Sequence, residues 1–263
     1  METETEKISI LKFSGESSNR EDDVVARETP LTIILNDREL VTLLCSPKDL
    51  NYLAIGFLSS EGFIENRDEI SKIIVDDIRG VARVRTREGK VINDDIIFKR
   101  LITSGCGRGT SFYKASDVEN RVKIESGLKI SGGEIMALVK EFQRRSLLYR
   151  STGGVHSAAL CEAGKILVFN EDIGRHNAID KIFGECLLKG IDTRDRLVVT
   201  SGRISSEILL KVASRQIPVI VSKSAPTDLG VKMADDLGIT LLGFVRGKRI
   251  NAYTHDWRIT VNG

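Results

Sequence analysis

The chain is poor in the residues that staple a fold or ligate a metal. Its 263 residues include four cysteines, three histidines, four prolines and one tryptophan. Cys45, Cys106, Cys161 and Cys186 stand far apart, with no C-x-x-C pair and no zinc spacing among them. No disulfide framework is expected, and a chain of this length buries a full core without one. Excess charge of one sign is also missing. The 39 basic and 37 acidic residues leave a net charge of +2, which argues against a general nucleic-acid binder and confines any basic site to a local patch. No apolar run approaches the roughly 18 residues of a membrane span. The opening "METETEKISI" has no apolar signal core, so reduced thiols in a cytoplasm are the expectation. Two enzyme signatures are absent as well. A zinc deaminase needs H-x-E and P-C-x-x-C, but His156 is followed by Ser157 and Ala158 and no P-C-x-x-C occurs. A P-loop needs G-x-x-x-x-G-K-[ST], which is also missing.

What is present is ordinary globular composition, 41% hydrophobic and 29% charged. In the polar first 30 residues "ISILKF" reads as a strand and "SGESSNREDD" as loop or disorder. "LTIILNDRELVTLLCSP" is two apolar runs joined by Asn36, Asp37 and Arg38, a hairpin pattern. Leu50, Leu53, Ala54, Phe57 and Leu58 recur at helical spacing, with Gly62 as the stop. "SKIIVDDIRGVARVRTREGKVINDDIIFKR" reads as short strands and turns, so residues 1–125 are predicted to form a small α+β domain. In the remainder, Ser131 and Glu134 make a capping box ahead of a helix to about Leu148, and two strands flank Ala163 and Gly164. Strands then alternate with helices, which predicts an α/β domain over residues 126–263 with a parallel or mostly parallel sheet covered on both faces.

In such sheets sites gather at the carboxyl ends of the strands. Those positions hold Asp172, Arg175, His176 and Asn177 after "ILVF", Ser201, Gly202 and Arg203 after "RLVVT", and Lys223, Ser224 and Thr227 after "PVIVS". Each pairs a strand end with a helix N-terminus, where free N–H groups and the dipole favour an anion. The hairpin "FVRGKR" adds Arg246, Lys248 and Arg249. One Ser-Gly turn alone is only a turn, and "RGKR" alone is a solvated one; three such turns in series with basic residues suggest a pocket for a ligand with several phosphates. His156 alone would fit a satisfied core histidine, whereas His176 opens a helix among polar residues. His255 says little.

Cys106 sits apart from the other thiols, in "TSGCGRGTSF", between two glycines and near Lys99, Arg100, Arg108 and Lys114. Positive charge lowers a thiol pKa and glycines leave the sulfur open to approach, so this cysteine reads either as a reactive thiolate or as a small residue in a tight turn. Cys45, Cys161 and Cys186 sit in apolar company and read as core.

Taken in order, "SPKDLNYLAIGFLSSEGFI", the Cys106 loop, "TGGVHSAAL", "EDIGRHNAIDKIFG", "SGRISSEILLK" and "SAPTDLGVKMADDLGITLLGFVRGKRINAYTH" resemble the formate dehydrogenase accessory sulfurtransferases, the FdhD family, over about residues 30 to 255. The resemblance implies a cytoplasmic sulfur carrier. A cysteine desulfurase loads a persulfide onto Cys106, and the sulfur passes to the molybdenum cofactor, bis-molybdopterin guanine dinucleotide, destined for formate dehydrogenase. It implies a larger domain resembling the cytidine deaminase fold without zinc, and a homodimer, with no membrane or nucleic-acid partner. Phe244, Val245, Arg246, Gly247, Lys248 and Arg249 match the stretch that the family gives to the cofactor. His156, Asp172, Arg175, His176, Asn177, Ser201, Arg203 and Ser224 lie in the other shared motifs and are inferred to line the pocket. The chain departs from the family at Gly109, where many members carry a second loop cysteine; a resolving disulfide within the loop is therefore excluded. That departure keeps a rival in view, a chaperone that shields the cofactor and moves no sulfur. An enzyme acting on free nucleotides is a third reading, disfavoured by the missing zinc ligands.

Overall fold

The computed structural model describes residues 4–87, 123–162 and 164–261. Strands β1 (Thr5–Ser14) and β2 (Ser17–Ala26) pair antiparallel over their whole length as a two-stranded ribbon. The stretch expected to be loop or disorder is therefore the turn and second arm of a hairpin. Its charges misled because no side chain of either strand is fully buried, so no buried face imposes an apolar alternation.

The next four strands, β3 (Thr29–Leu35), β4 (Arg38–Cys45), β5 (Ile70–Asp76) and β6 (Val81–Thr86), form a sheet in the order β4-β3-β6-β5. The expected hairpin is β3–β4, turning through Asn36 and Asp37, both at positive φ. Helix α1 (Leu50–Ser60) covers this sheet with Leu50, Leu53, Ala54, Phe57 and Leu58, the residues picked out by their spacing, packed on Leu31, Ile33 and Leu35.

After residue 122 come the short β7 (Ile130–Ser131), α2 (Gly132–Arg145) and α3 (Leu147–Thr152). The capping box is formed: Glu134 N donates to Ser131 Oγ at 3.2 Å and Ser131 N to Glu134 Oε2 at 2.8 Å. The helix was expected to run to Leu148, but it breaks at Ser146. There the Ser146 hydroxyl donates back to Phe142 O, and the Glu171 carboxylate receives the N–H groups of Leu148 and Tyr149, capping a new helix. Strands β8 (His156–Glu162) and β9 (Lys165–Asp172), α4 (Arg175–Lys189), β10 (Leu197–Thr200), α5 (Ser206–Ser214), β11 (Val219–Ser222), α6 (Asp228–Asp236), β12 (Thr240–Arg246) and β13 (Arg249–Thr254) follow, with a short β14 (Ile259–Thr260) beside β7.

The main sheet runs β13-β12-β11-β10-β8-β9. Pairings β10–β11 and β11–β12 are parallel; β8–β10, β8–β9 and β12–β13 are antiparallel. This corrects the expectation of a mostly parallel sheet. The tight β8–β9 and β12–β13 connections are hairpins, and a hairpin can only join antiparallel neighbours. The sheet is covered on both faces, as expected: α2 packs Ile135, Leu138 and Phe142 on one, and α4, α5 and α6 cover the other with Ile179, Phe183, Leu209 and Ala234. No helix among the described residues is long and apolar enough to cross a membrane.

Helices α1 and α4 join the two sheets' cores at a close crossing. A Cβ at Gly56 would stand 1.8 Å from Asp180 O, and one at Gly184 would stand 1.9 Å from Tyr52 O. Only glycine fits either position.

Candidate functional site

Strand directions in the main sheet bring the sequence motifs to one edge. The carboxyl ends of β9, β10, β11 and β12 point the same way, and the antiparallel β8 and β13 begin there. His156 starts β8, Asp172 ends β9, Ser201 to Arg203 follow β10, Lys223 and Ser224 follow β11, and Phe244 to Arg249 turn from β12 into β13. A chain of hydrogen bonds ties these turns together. Ser157 N donates to Ser201 Oγ at 3.0 Å, and His156 Nδ1 lies 3.3 Å from the same hydroxyl. Lys223 N donates to Thr200 O, Ser222 Oγ to Gly202 O at 2.6 Å, and Phe244 N to Ser224 O at 3.0 Å.

One end of this edge is enclosed. The N-termini of α4 and α5 meet there, and the Arg175 side chain lies across Gly202, where a Cβ would come within 2.9 Å of Arg175 Cβ. Burial pushes the His176 imidazole down to about 3, with the positive charges of Lys211, Arg175 and Arg203 and the nearby His156 ring acting in the same direction. His176 Nε2 stands 3.3 Å from Glu207 Oε2, yet the imidazole is neutral at pH 7 and Nε2 has no properly oriented hydrogen-bond partner, so this contact is not an ion pair. His156 is also lowered, first by burial and then by Arg175. Arg175 Nε and Ser205 Oγ are likewise buried without a partner. Buried polar atoms are nearly always hydrogen-bonded, so three orphans at the start of two helices mark a place able to accept an anion's oxygens.

The opposite end of the edge is open. Arg246, Gly247, Lys248 and Arg249 are exposed, with Arg246 Nε donating to Lys223 O at 2.9 Å. Burial, then the neighbouring Arg246, lowers the Lys223 ammonium. Phe244 sits in a bulge at φ 51°, strained for a bulky residue, with the Arg249 guanidinium 5.1 Å from its ring centre.

Two residues expected in the pocket face elsewhere. Val245 is 1% exposed and packs in the core beneath α2 on the same side as Leu242, because the bulge at Phe244 resets the strand's alternation. Asp172 is fully buried and ion-paired to Lys181 at 2.8 Å, with both side chains at 0% exposure. Asn177 is half-buried and donates to Asp172 Oδ1 and Leu44 O, both at 2.9 Å. Arg203 is exposed, and Ser201 and Ser224 are half-buried at the edge.

Sequence reasoning passed over Lys181, Glu207 and Ser205. The signal for Lys181 was available: it lies among Ala178, Ile179 and Ile182 on an apolar helix face, where an unpaired lysine does not belong. Cys106 and its glycine loop lie outside the described residues. Cys45, Cys161 and Cys186 are buried as expected, and burial pushes all three thiols up to about 12. Among the described residues no group of three or more His, Cys, Asp or Glu side chains is arranged to hold a metal ion.

Fold and site together define an α/β protein with a mixed, helix-covered sheet and an anion-seeking edge. Its sequence matches the profile of the FdhD/NarQ family over residues 26–260, and the chain belongs to that family. It is 47% identical to the sulfur carrier protein FdhD of Bacillus subtilis over 93% of each chain. It is 42% identical to the protein of the same name from Listeria innocua, over 95% of this chain and 97% of that one. A crystal structure described as that of a candidate formate dehydrogenase accessory protein from Desulfotalea psychrophila superposes with a TM-score of 0.80 at 30% identity, covering 97% of this chain and 99% of that one.

Proposed function

We propose that this protein is a cytoplasmic sulfur carrier for formate dehydrogenase maturation. Cys106 takes a sulfur from a cysteine desulfurase and delivers it to bis-molybdopterin guanine dinucleotide. In the loading step the Cys106 thiolate attacks the terminal sulfur of the desulfurase persulfide; a new S–S bond forms on Cys106 and the desulfurase cysteine leaves as thiolate, with no net oxidation. The observation that carries this reading is the contrast among the cysteines. Three are buried with thiols raised to about 12, which leaves Cys106, in its basic glycine loop, as the one suited to this chemistry. The anion-seeking strand edge supports a place for the cofactor's guanine dinucleotide arms. The two-domain division near residue 125, a cytidine-deaminase-like larger domain without zinc, and a homodimer belong to the same reading.

Intact mass after incubation with a desulfurase and cysteine tests it. A gain of one sulfur mapped to Cys106, abolished in Cys106→Ala, is expected. An unmodified protein that nevertheless binds the cofactor would transfer the reading to the chaperone alternative, which the absence of a second loop cysteine at Gly109 keeps open.

A further inference from the structure

Ser46 stands at the end of β4, outside the strand-edge site, yet three of its polar atoms are committed to the stretch that leads into α4. Its N–H donates to Asp172 Oδ2 at 3.1 Å, its hydroxyl accepts from Ile173 N at 3.1 Å, and its carbonyl accepts from Lys181 Nζ at 3.3 Å. Asp172 is saturated in turn. Besides Ser46 and Lys181, its Oδ1 accepts from Gly174 N and Asn177 Nδ2, both at 2.9 Å. Asn177 closes the ring by donating to Leu44 O.

A buried ion pair is a poor source of stability, because desolvation consumes most of its attraction and an apolar pair of the same volume often serves as well. What it does supply is a single geometry. A carboxylate with four fixed donors has one arrangement, whereas apolar surfaces can slide. The segment held in this way carries Arg175, whose side chain fits across Gly202, and His176, whose Nε2 is buried without a hydrogen-bond partner.

We propose that Asp172, Lys181 and Ser46 are positioning residues: their buried clamp fixes the turn leading into α4 against Gly202, so that Arg175 and His176 face the anion, and it makes the end of β4 a structural part of the ligand site. The link to ligand rests on reading the strand edge as a nucleotide-phosphate site; the clamp itself is judged without ligand.

The test uses the full chain with Asp172→Asn and Lys181→Met combined, which removes both charges and strands neither, and Asn177→Ala as a milder second variant. Two quantities are read: the His176 ring titration by NMR, and the affinity for guanosine diphosphate by calorimetry. His176 is faced by Arg175 of its own helix, Arg203 from the β10–α5 turn, His156 of β8, and Lys211 and Glu207 of α5, so its titration reports the packing of the whole enclosed end. In the wild type it stays neutral down to about pH 3. In the folded double variant it should titrate at least about one unit higher as the ring gains water, and in Asn177→Ala by less. Guanosine diphosphate should bind about tenfold more weakly to the double variant. A folded double variant with an unchanged His176 titration overturns the clamp; if that variant does not fold, Asn177→Ala decides by the same criterion. A shifted titration with unchanged nucleotide affinity overturns the link to the ligand site. A wild type that does not bind guanosine diphosphate refutes the nucleotide reading alone, and the titrations still decide the clamp.

Discussion

The two ends of the strand edge present their polar groups in opposite ways. At the α4–α5 end Arg175 Nε, His176 Nε2 and Ser205 Oγ are buried atoms on half-buried side chains, both histidines are lowered in basicity, and the start of α4 is set by contacts reaching into the N-terminal sheet. At the β12–β13 end Arg246, Lys248 and Arg249 are exposed on a turn, held only by surface contacts: the Arg246–Lys223 bond, an Arg249 Nε–Asn251 Oδ1 bond at 3.1 Å and the stacking of Arg249 on Phe244. The α4–α5 end offers a fixed arrangement of polar atoms, and the β12–β13 end offers exposed charge. Changes at the first should therefore alter stability and geometry, and changes at the second should alter affinity and its salt dependence.

The largest effect should come from Asp172→Ala, which leaves Lys181 buried and uncompensated. Urea unfolding should show a loss of about 3–5 kcal/mol. A loss below about 1 kcal/mol would mean that water reaches the pair and the enclosed end is not closed. Next comes Gly202→Ala. Its Cβ would meet Arg175 Cβ at 2.9 Å, so Arg175 must move, at a cost of roughly 1–3 kcal/mol in the same assay. Unchanged stability would show that the backbone at the start of α4 shifts without cost, since Arg175 Cβ cannot move by rotation of the side chain alone.

The enclosed end should also leave a pH signature. His176 has a folded pKa of about 3, below its ordinary value near 6.5, so the unfolded chain binds more protons between those values. Stability contributed by the neutral ring is full above about pH 6.5 and is lost as pH falls towards 3. His176→Asn should flatten the stability–pH slope between about pH 4 and 6 by up to about 1.4 kcal/mol per unit. An unchanged slope would place the ring in water.

The smallest effect on stability should come from the open end. Arg246→Ala with Lys248→Ala should stay within about 0.5 kcal/mol of wild type in unfolding. Guanosine diphosphate should bind it more weakly and with a flatter salt dependence, since screening acts on exposed phosphate contacts. Sulfur loading from a desulfurase should persist. A pair of exposed cations whose loss unfolds the protein would erase the contrast between the ends.

Local sequence determined much of the secondary structure. Hydrophobic spacing identified α1 and its buried face, the Asn36-Asp37 turn identified a hairpin, and the capping box located the start of α2. These signals are readable because they depend on neighbours within a few residues. The strand-end rule likewise brought Arg175, His176, Ser201 and Ser224 to one edge, since strand direction alone selects which turns gather there. Only the tertiary structure decided the rest. The ribbon of β1 and β2 has no buried face to pattern it, and the break at Ser146 depends on Glu171 arriving from another strand. Sheet direction followed from hairpins rather than crossovers. Whether a motif residue faces ligand or core was likewise outside the sequence. Val245 turns into the core because the bulge at Phe244 resets strand alternation, and Asp172 turns inward because Ser46, more than a hundred residues earlier, supplies a donor for its carboxylate. Burial and charge pairing are sums over residues distant in the chain, and no local pattern records which of them will meet.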